Sequence, residues 1–154
     1  PAIFVCENNL YGASTRVNKV TRLNDLAEHA NSYGIAGRTV FGNDVLAVHE
    51  ATKEAVNQCR RGQGPVLLEL LTYRRTGHSR RDACNYQADI EKQSWFDRDP
   101  IRLLGDALTQ HCDVDASQLE GIRDEIVAQF ELAVERARSA PLPSENDLIT
   151  DVFA

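Results

Sequence analysis

Hydrophobic and polar positions follow two rhythms along this chain. Residues 2–6, Ala-Ile-Phe-Val-Cys, form a short unbroken apolar run that stops at Glu7-Asn8-Asn9. Such a run predicts a strand buried on both faces that closes in a polar loop. From Asn24 the spacing turns helical, with Asn or Asp near the start and Gly34 just past the end. A second strand follows at about Arg38 to Phe41. Asn43 is placed to cap a longer helix whose apolar side falls at Val45, Val48, Ala55, Val56 and Cys59, with Arg60-Arg61 in the last turn and Gly62 beyond. Gly64-Pro65 leads into the strongest strand, Val66 to Tyr73.

This order of strand, helix, strand, helix, strand predicts an α/β fold: a parallel sheet flanked by helices, with right-handed crossovers. Residues 74–98 break the rhythm with five arginines and Gly77. They read as a long ordered loop with one helical turn near Asp89 to Gln93, and loops of this length usually carry function or are disordered. Asp99-Pro100 opens a helix through about Gln110 on the face Ile101, Leu104 and Leu108. A longer helix spans about Ala116 to Arg138, with its stripe at Leu119, Ile122, Ile126, Phe130, Ala133 and Ala137. The tail after Pro141 reads as extended. The whole is one partial α/β unit with a C-terminal helical pair.

Composition narrows the function classes. The 42% hydrophobic and 26% charged fractions suit an ordinary soluble domain, and no apolar run approaches a bilayer span. A net charge of -6 disfavours nucleic acid as a partner. Cys6, Cys59, Cys84 and Cys112 lie far apart without a C-x-x-C pair, which argues against structural zinc and for a reducing compartment. The opening Pro-Ala-Ile-Phe-Val-Cys enters a core strand directly, so a preceding segment is expected.

Chemistry concentrates at the strand ends, where parallel sheets place their sites. Asn8 and Asn9 follow the first strand, and an amide oxygen is a neutral hard ligand suited to Mg²⁺; an Asn pair equally suits a plain turn. Glu69 stands inside the most apolar strand, so it either finds a structural partner or reaches an interface. Arg74 and Arg75 are either a solvated pair or phosphate ligands. His29 and His49 sit in predicted helices and His111 at a helix end, which leaves His78, in the loop, as the histidine of interest.

The run Ile-Phe-Val-Cys-Glu-Asn-Asn-Leu-Tyr-Gly-Ala-Ser-Thr resembles the close of the thiamine-diphosphate motif in α subunits of pyruvate, branched-chain and acetoin dehydrogenase complexes. A second block, Gly64-Pro-Val-Leu-Leu-Glu-Leu-Leu-Thr-Tyr-Arg-Arg-Thr-Gly-His-Ser, is similar to that family's strand and active-site loop, and the resemblance continues through most of the chain. It implies the thiamine-diphosphate-binding fold, with residues 1–98 as the C-terminal part of the cofactor-binding domain, its active-site loop at about 74–98, and residues 99–154 as the helices and tail of the same domain. It further implies thiamine diphosphate and Mg²⁺ as cofactors, with Asn9 ligating the metal through its side-chain oxygen and Tyr11 through its carbonyl. Asn8 would serve the turn. Arg74 and His78 would lie near the diphosphate, with His78 acting in the reaction, and Ser79 matches a serine phosphorylated in some mitochondrial members.

The motif's opening Gly-Asp-Gly is absent, since Gly105-Asp106 lies in a predicted helix and precedes Ala107. One carboxylate ligand must then come from a missing N-terminal half of the α subunit. Arg81, Ala83, Gln87 and Phe41 depart from the common Ser, Pro, Arg and Asp of such relatives. The implied activity is decarboxylation of a 2-oxo acid with acyl transfer to a lipoyl group. Its implied partners are a β subunit, in an α₂β₂ heterotetramer that shares the site, and the lipoyl acyltransferase, so the chain alone should be inactive. An acetoin dehydrogenase α subunit and a non-catalytic assembly module are the alternatives. The bacterial cytoplasm is the expected compartment, with the mitochondrial matrix second.

Overall fold

A computed structural model describes residues 1–150. Its chain divides into two compact units, Pro1–Ala107 and Leu108–Ala154.

In the first unit, β1 (Ile3–Asn8) is followed by a tight ribbon of β2 (Tyr11–Gly12) and β3 (Thr15–Arg16). β4 (Ala36–Phe41), helix α1 (Val45–Arg60) and β5 (Val66–Leu71) come next. The strands form a parallel sheet in the order β1-β5-β4, as the alternation of strand and helix implies, but β1 lies at its edge and exposes Phe4 and Val5 rather than being buried on both faces. In register, Ile3 and Ala36 flank Val66, Cys6 and Thr39 flank Glu69, and Asn8 and Phe41 flank Leu71. The ladder continues past the strand ends, where the Thr72 amide donates to the Asn8 carbonyl and the Gly42 amide to that of Leu71.

Helical segments cover both faces, the α/β arrangement expected. On one face α1 buries Ala55 and Cys59 against Val66 and Leu68. On the other lies a 3₁₀ segment, Leu26–Tyr33, capped by Asp25 and Glu28 in reciprocal hydrogen bonds and ending at Gly34. It packs so closely that a Cβ on Gly37 would stand 2.2 Å from the Ala27 carbonyl oxygen. Glycine is therefore the residue that lets backbone meet backbone there.

The sequence assigned the α1 cap to Asn43; Asp44 does this work, accepting from the Leu46 and Ala47 amides. Asn43 is instead buried, donating to the Arg98 carbonyl and accepting from the Thr72 hydroxyl. The strand predicted to reach Tyr73 ends at Leu71, and the single turn near Asp89 is a full helix, α2 (Asp89–Phe96). Asp99 caps α3 (Pro100–His111) through the Ile101 and Arg102 amides. The boundary between the units falls inside α3.

In the second unit, Asp115 and Gln118 form a capping box at the start of α4 (Ala116–Ser139). The stripe read from the sequence lies on this helix, yet Ile122, Ile126 and Phe130 are exposed. The tail is not wholly extended, since a 3₁₀ turn occupies Glu145–Leu148; residues 151–154 lie outside the described residues. Among the described residues, no helix is long and apolar enough to cross a membrane.

Candidate functional site at the strand ends

Asn8 and Asn9 leave β1 at its carboxyl end, and each side chain folds back on the chain. Asn8 Oδ1 accepts from the Leu10 amide at 3.0 Å and Asn9 Oδ1 from the Tyr11 amide at 3.1 Å. Local bonds of this kind let Asx residues build turns. Asn8 also donates to Glu69 at 2.6 Å. That answers the question of Glu69: it is 1% exposed and receives further bonds from the Ala27 amide at 2.9 Å and the Thr39 hydroxyl at 2.8 Å. Its partners are structural, and they tie the turn to the centre of the sheet.

The backbone of this turn is strained. Leu10 and Ala13 have φ of 70° and 50°, left-handed values that L-residues adopt at a cost of about 1–2 kcal/mol. Such backbone persists where surrounding contacts over-determine it. Arg74 provides two of them, donating to the Tyr11 carbonyl at 2.8 Å and the Ala13 carbonyl at 2.7 Å. The Tyr11 ring is buried, 6.1 Å from Tyr73 and 5.4 Å from Tyr86 by ring centroids.

The loop after β5 is folded around Asp82. Its carboxylate accepts from the His78 amide at 2.8 Å, the Cys84 amide at 2.9 Å and the Tyr86 hydroxyl at 2.7 Å. The Tyr86 hydrogen bond, followed by the two amides, holds the Asp82 carboxyl below its ordinary range. A Cβ on Gly77 would stand 2.3 Å from the Asp82 carbonyl oxygen, so the loop closes only over glycine there. Ala13 and Ser14 of the turn and His78, Ser79, Asp82 and Cys84 of the loop help line one cavity of about 410 Å³. The His78 side chain is exposed and has no hydrogen-bond partner among the described residues.

The structure joins Asn9, Tyr11 and Arg74 by direct hydrogen bonds, whereas His78 meets the same turn only at Ala13 and Ser14, with which it lines the cavity. Asn9 Oδ1 and the Tyr11 carbonyl are oxygen donors of the hard, neutral kind that suits Mg²⁺. Each keeps a second lone pair beyond the bond it accepts. Among the described residues, no group of three or more His, Cys, Asp or Glu is placed to hold a metal ion. Arg75 does not join the site; it pairs with Asp99 and lies 4.8 Å over the Phe96 ring.

Sequence reading missed Asp82, Tyr86, Glu91 and Arg16. Glu91 Oε2 accepts from the Tyr11 hydroxyl at 2.7 Å and the Tyr73 hydroxyl at 3.3 Å, while Oε1 pairs with Arg16 at 2.5 Å. The clustering of Tyr73, Tyr86 and Trp95 around the loop was the available signal, since buried phenols require polar partners.

A parallel α/β sheet with an Asx turn and a folded loop at its carboxyl ends defines an α/β protein with its site in the usual place. The chain belongs to the family of the dehydrogenase E1 component, whose model matches residues 1–146. It is 41% identical to the α subunit of acetoin:2,6-dichlorophenolindophenol oxidoreductase from Cupriavidus necator, over 99% of this chain and 46% of that protein. It is 35% identical to the α subunit of the pyruvate dehydrogenase E1 component from Porphyra purpurea, over 100% of this chain and 45% of that one. The corresponding subunit from Rhizobium meliloti is 37% identical over 99% of this chain and 44% of its own length. The chain therefore spans somewhat under half the length of these relatives.

Proposed function

We propose that this chain forms the metal-and-diphosphate side of a thiamine-diphosphate site, within the α subunit of an enzyme that decarboxylates a 2-oxo acid and passes the acyl group to a lipoyl carrier. One observation supports this reading: of the two oxygens of the Asn9–Tyr11 turn, Asn9 Oδ1 is held by the Tyr11 amide and the Tyr11 carbonyl by Arg74, from the segment that also presents His78. The sheet would then be part of the thiamine-diphosphate-binding fold.

The donors fit Mg²⁺ in kind and supply part of its shell, with Asn9 Oδ1 and the Tyr11 carbonyl as ligands. Diphosphate, water and chain outside these residues would complete it. Thiamine diphosphate, when bound, supplies the electron sink for decarboxylation. Arg74 spends two N–H donors on backbone carbonyls and has further ones for phosphate oxygens. His78, its imidazole unengaged by described residues, hydrogen-bonds substrate oxygens or carries a proton during acyl transfer. A β subunit completing the site in an α₂β₂ assembly, the rest of the α subunit and a lipoyl acyltransferase are the proposed partners. The four unpaired cysteines suit a reducing compartment, the bacterial cytoplasm or the mitochondrial matrix.

A second reading takes acetoin in place of the 2-oxo acid, supported by the 41% identity to an acetoin oxidoreductase subunit. Both readings are tested on the full-length subunit assembled with its partner subunit. Calorimetry should show thiamine diphosphate binding that depends on Mg²⁺, and turnover with pyruvate against acetoin, with dichlorophenolindophenol as acceptor, chooses between the substrates. Cofactor binding indifferent to Mg²⁺, or no turnover of either substrate, would overturn the assignment.

A further inference from the structure

The ribbon of β2 and β3 carries Tyr11, yet little local structure holds it. It has only two residue pairs, Tyr11 opposite Arg16 and Gly12 opposite Thr15, and Ala13 at its tip is left-handed. Residues 12–15 are all exposed, which leaves the Tyr11 side chain as the ribbon's buried anchor. The ring ends in a phenol that must find a partner, and that partner is Glu91, eighty positions away on α2.

Glu91 grips both strands of the ribbon at once. One carboxylate oxygen takes the Tyr11 hydroxyl at 2.7 Å, and the other takes Arg16, the residue directly across the ribbon, at 2.5 Å. Arg16 closes the ring by donating to the Tyr11 hydroxyl at 3.2 Å. The Glu91 side chain is only 14% exposed. Burial alone pushes its carboxyl up, but the hydrogen bonds from Tyr11 and Arg16, with the Arg16 charge, outweigh that and leave it below its ordinary value. The Tyr73 hydroxyl also donates to it, at 3.3 Å, but the two shorter contacts fall on the two strands of the ribbon whose Tyr11 carbonyl is the proposed metal ligand.

We propose that Glu91 is a positioning residue for the metal site, acting through the Tyr11 hydroxyl and Arg16 to hold the Tyr11 carbonyl in one orientation. It touches neither metal nor cofactor. This inference rests on the reading of the Asn9–Tyr11 turn as a Mg²⁺ site. Partners one shell out from a metal commonly alter affinity by about 10–100-fold when removed, and about tenfold is expected here.

The test uses the full-length subunit assembled with its partner subunit, with Mn²⁺ binding followed by electron paramagnetic resonance in the presence of thiamine diphosphate. Glu91→Gln keeps the shape but loses the Arg16 ion pair; Tyr11→Phe keeps the ring and the carbonyl but loses the hydroxyl. Each should weaken Mn²⁺ binding about tenfold, and turnover at saturating metal should fall by less than affinity does. The double variant should fall short of the sum of the two single losses, because both changes act within the one Tyr11–Glu91–Arg16 network. Ala55→Gly, under the opposite face of the sheet, controls for lost stability, lowering the melting temperature without moving metal affinity. Unchanged Mn²⁺ affinity in both single variants, or an equal loss in Ala55→Gly, overturns the positioning role while the metal site stands. A wild-type assembly that binds no Mn²⁺ with the cofactor overturns the metal-site reading and this inference together.

Discussion

Exchanging Glu69 for glutamine changes one atom pair at the centre of the sheet, and its cost follows from the partners. Three donors converge on the carboxylate: Asn8 on one oxygen, the Ala27 amide and the Thr39 hydroxyl on the other. The better glutamine rotamer leaves its oxygen with Ala27 and Thr39, and sets its NH₂ against the Asn8 NH₂. One buried donor pair is then unmet, a loss of about 1–3 kcal/mol. For a full-length subunit of more than 150 residues, each kcal/mol lowers the melting temperature by about 2–4 °C, so a drop of about 2–12 °C is expected. Asn8→Asp supplies the reversal, since the carboxylate it creates accepts from the new amide and still accepts from Leu10. The double variant should therefore recover most of what Glu69→Gln loses. Differential scanning calorimetry on the wild type, both single variants and the double variant reads this directly. A Glu69→Gln melting point within a degree of the wild type, or no recovery in the double variant, would refute the account of the triad.

Three further outcomes follow from the site. Asn9→Ala should weaken Mg²⁺-dependent cofactor binding in calorimetric titration far more than Asn8→Ala, whereas Asn8→Ala should cost about 1–3 kcal/mol of stability by stranding the Leu10 amide and one Glu69 bond; equal small effects on binding would count against Asn9 as a ligand. His78→Ala in the assembled enzyme should lower turnover more than cofactor affinity, and unchanged turnover at saturating cofactor would remove it from the reaction. Because Glu91 titrates below its ordinary value in the fold, the unfolded chain takes up its proton first as pH falls. Its contribution is therefore present above its ordinary value of about 4.5 and lost as the pH drops through the lower folded value; chemical denaturation should show a smaller stability loss on acidification below that ordinary value in Glu91→Gln than in the wild type.

Periodicity read much of the fold well because three of its strands and its longest helices obey it. β1 opens on an apolar run and β5 is apolar but for Glu69, and α3 and α4 begin within a residue of their predicted starts, just after capping residues. α2 escaped because one buried residue, Trp95, fixes it while Ile90 is exposed, so its eight positions carry no apolar stripe. Asn43 and Asp44 are both good caps side by side. The Arg98 carbonyl, fifty-five positions away, and the Thr72 hydroxyl, twenty-nine away, decide that Asn43 turns inward. In the candidate site, the resemblance pointed to Asn9, Tyr11, Arg74 and His78, but the carboxylates that fold the loop and the ribbon were opaque. Asp82 looks like any charged loop residue until Gly77 lets the backbone close on it. Glu91 looks like a favourable acid in a first helical turn until Tyr11 arrives from the other end of the chain.

Glu69 also bears on what the chain must avoid before it folds. Val66–Leu71 reads Val-Leu-Leu-Glu-Leu-Leu, and its five aliphatic residues are of the kind that stacks into fibrils when segments of six or so are exposed. In such a stack, identical residues repeat about every 4.8 Å, so the carboxylates would lie over one another with no donors between them. The native sheet answers each of those needs with Asn8, Ala27 and Thr39. The same side chain that cross-links the native turn to its central strand thus acts as a gatekeeper, making the correct fold the one place where this strand can be buried at low cost.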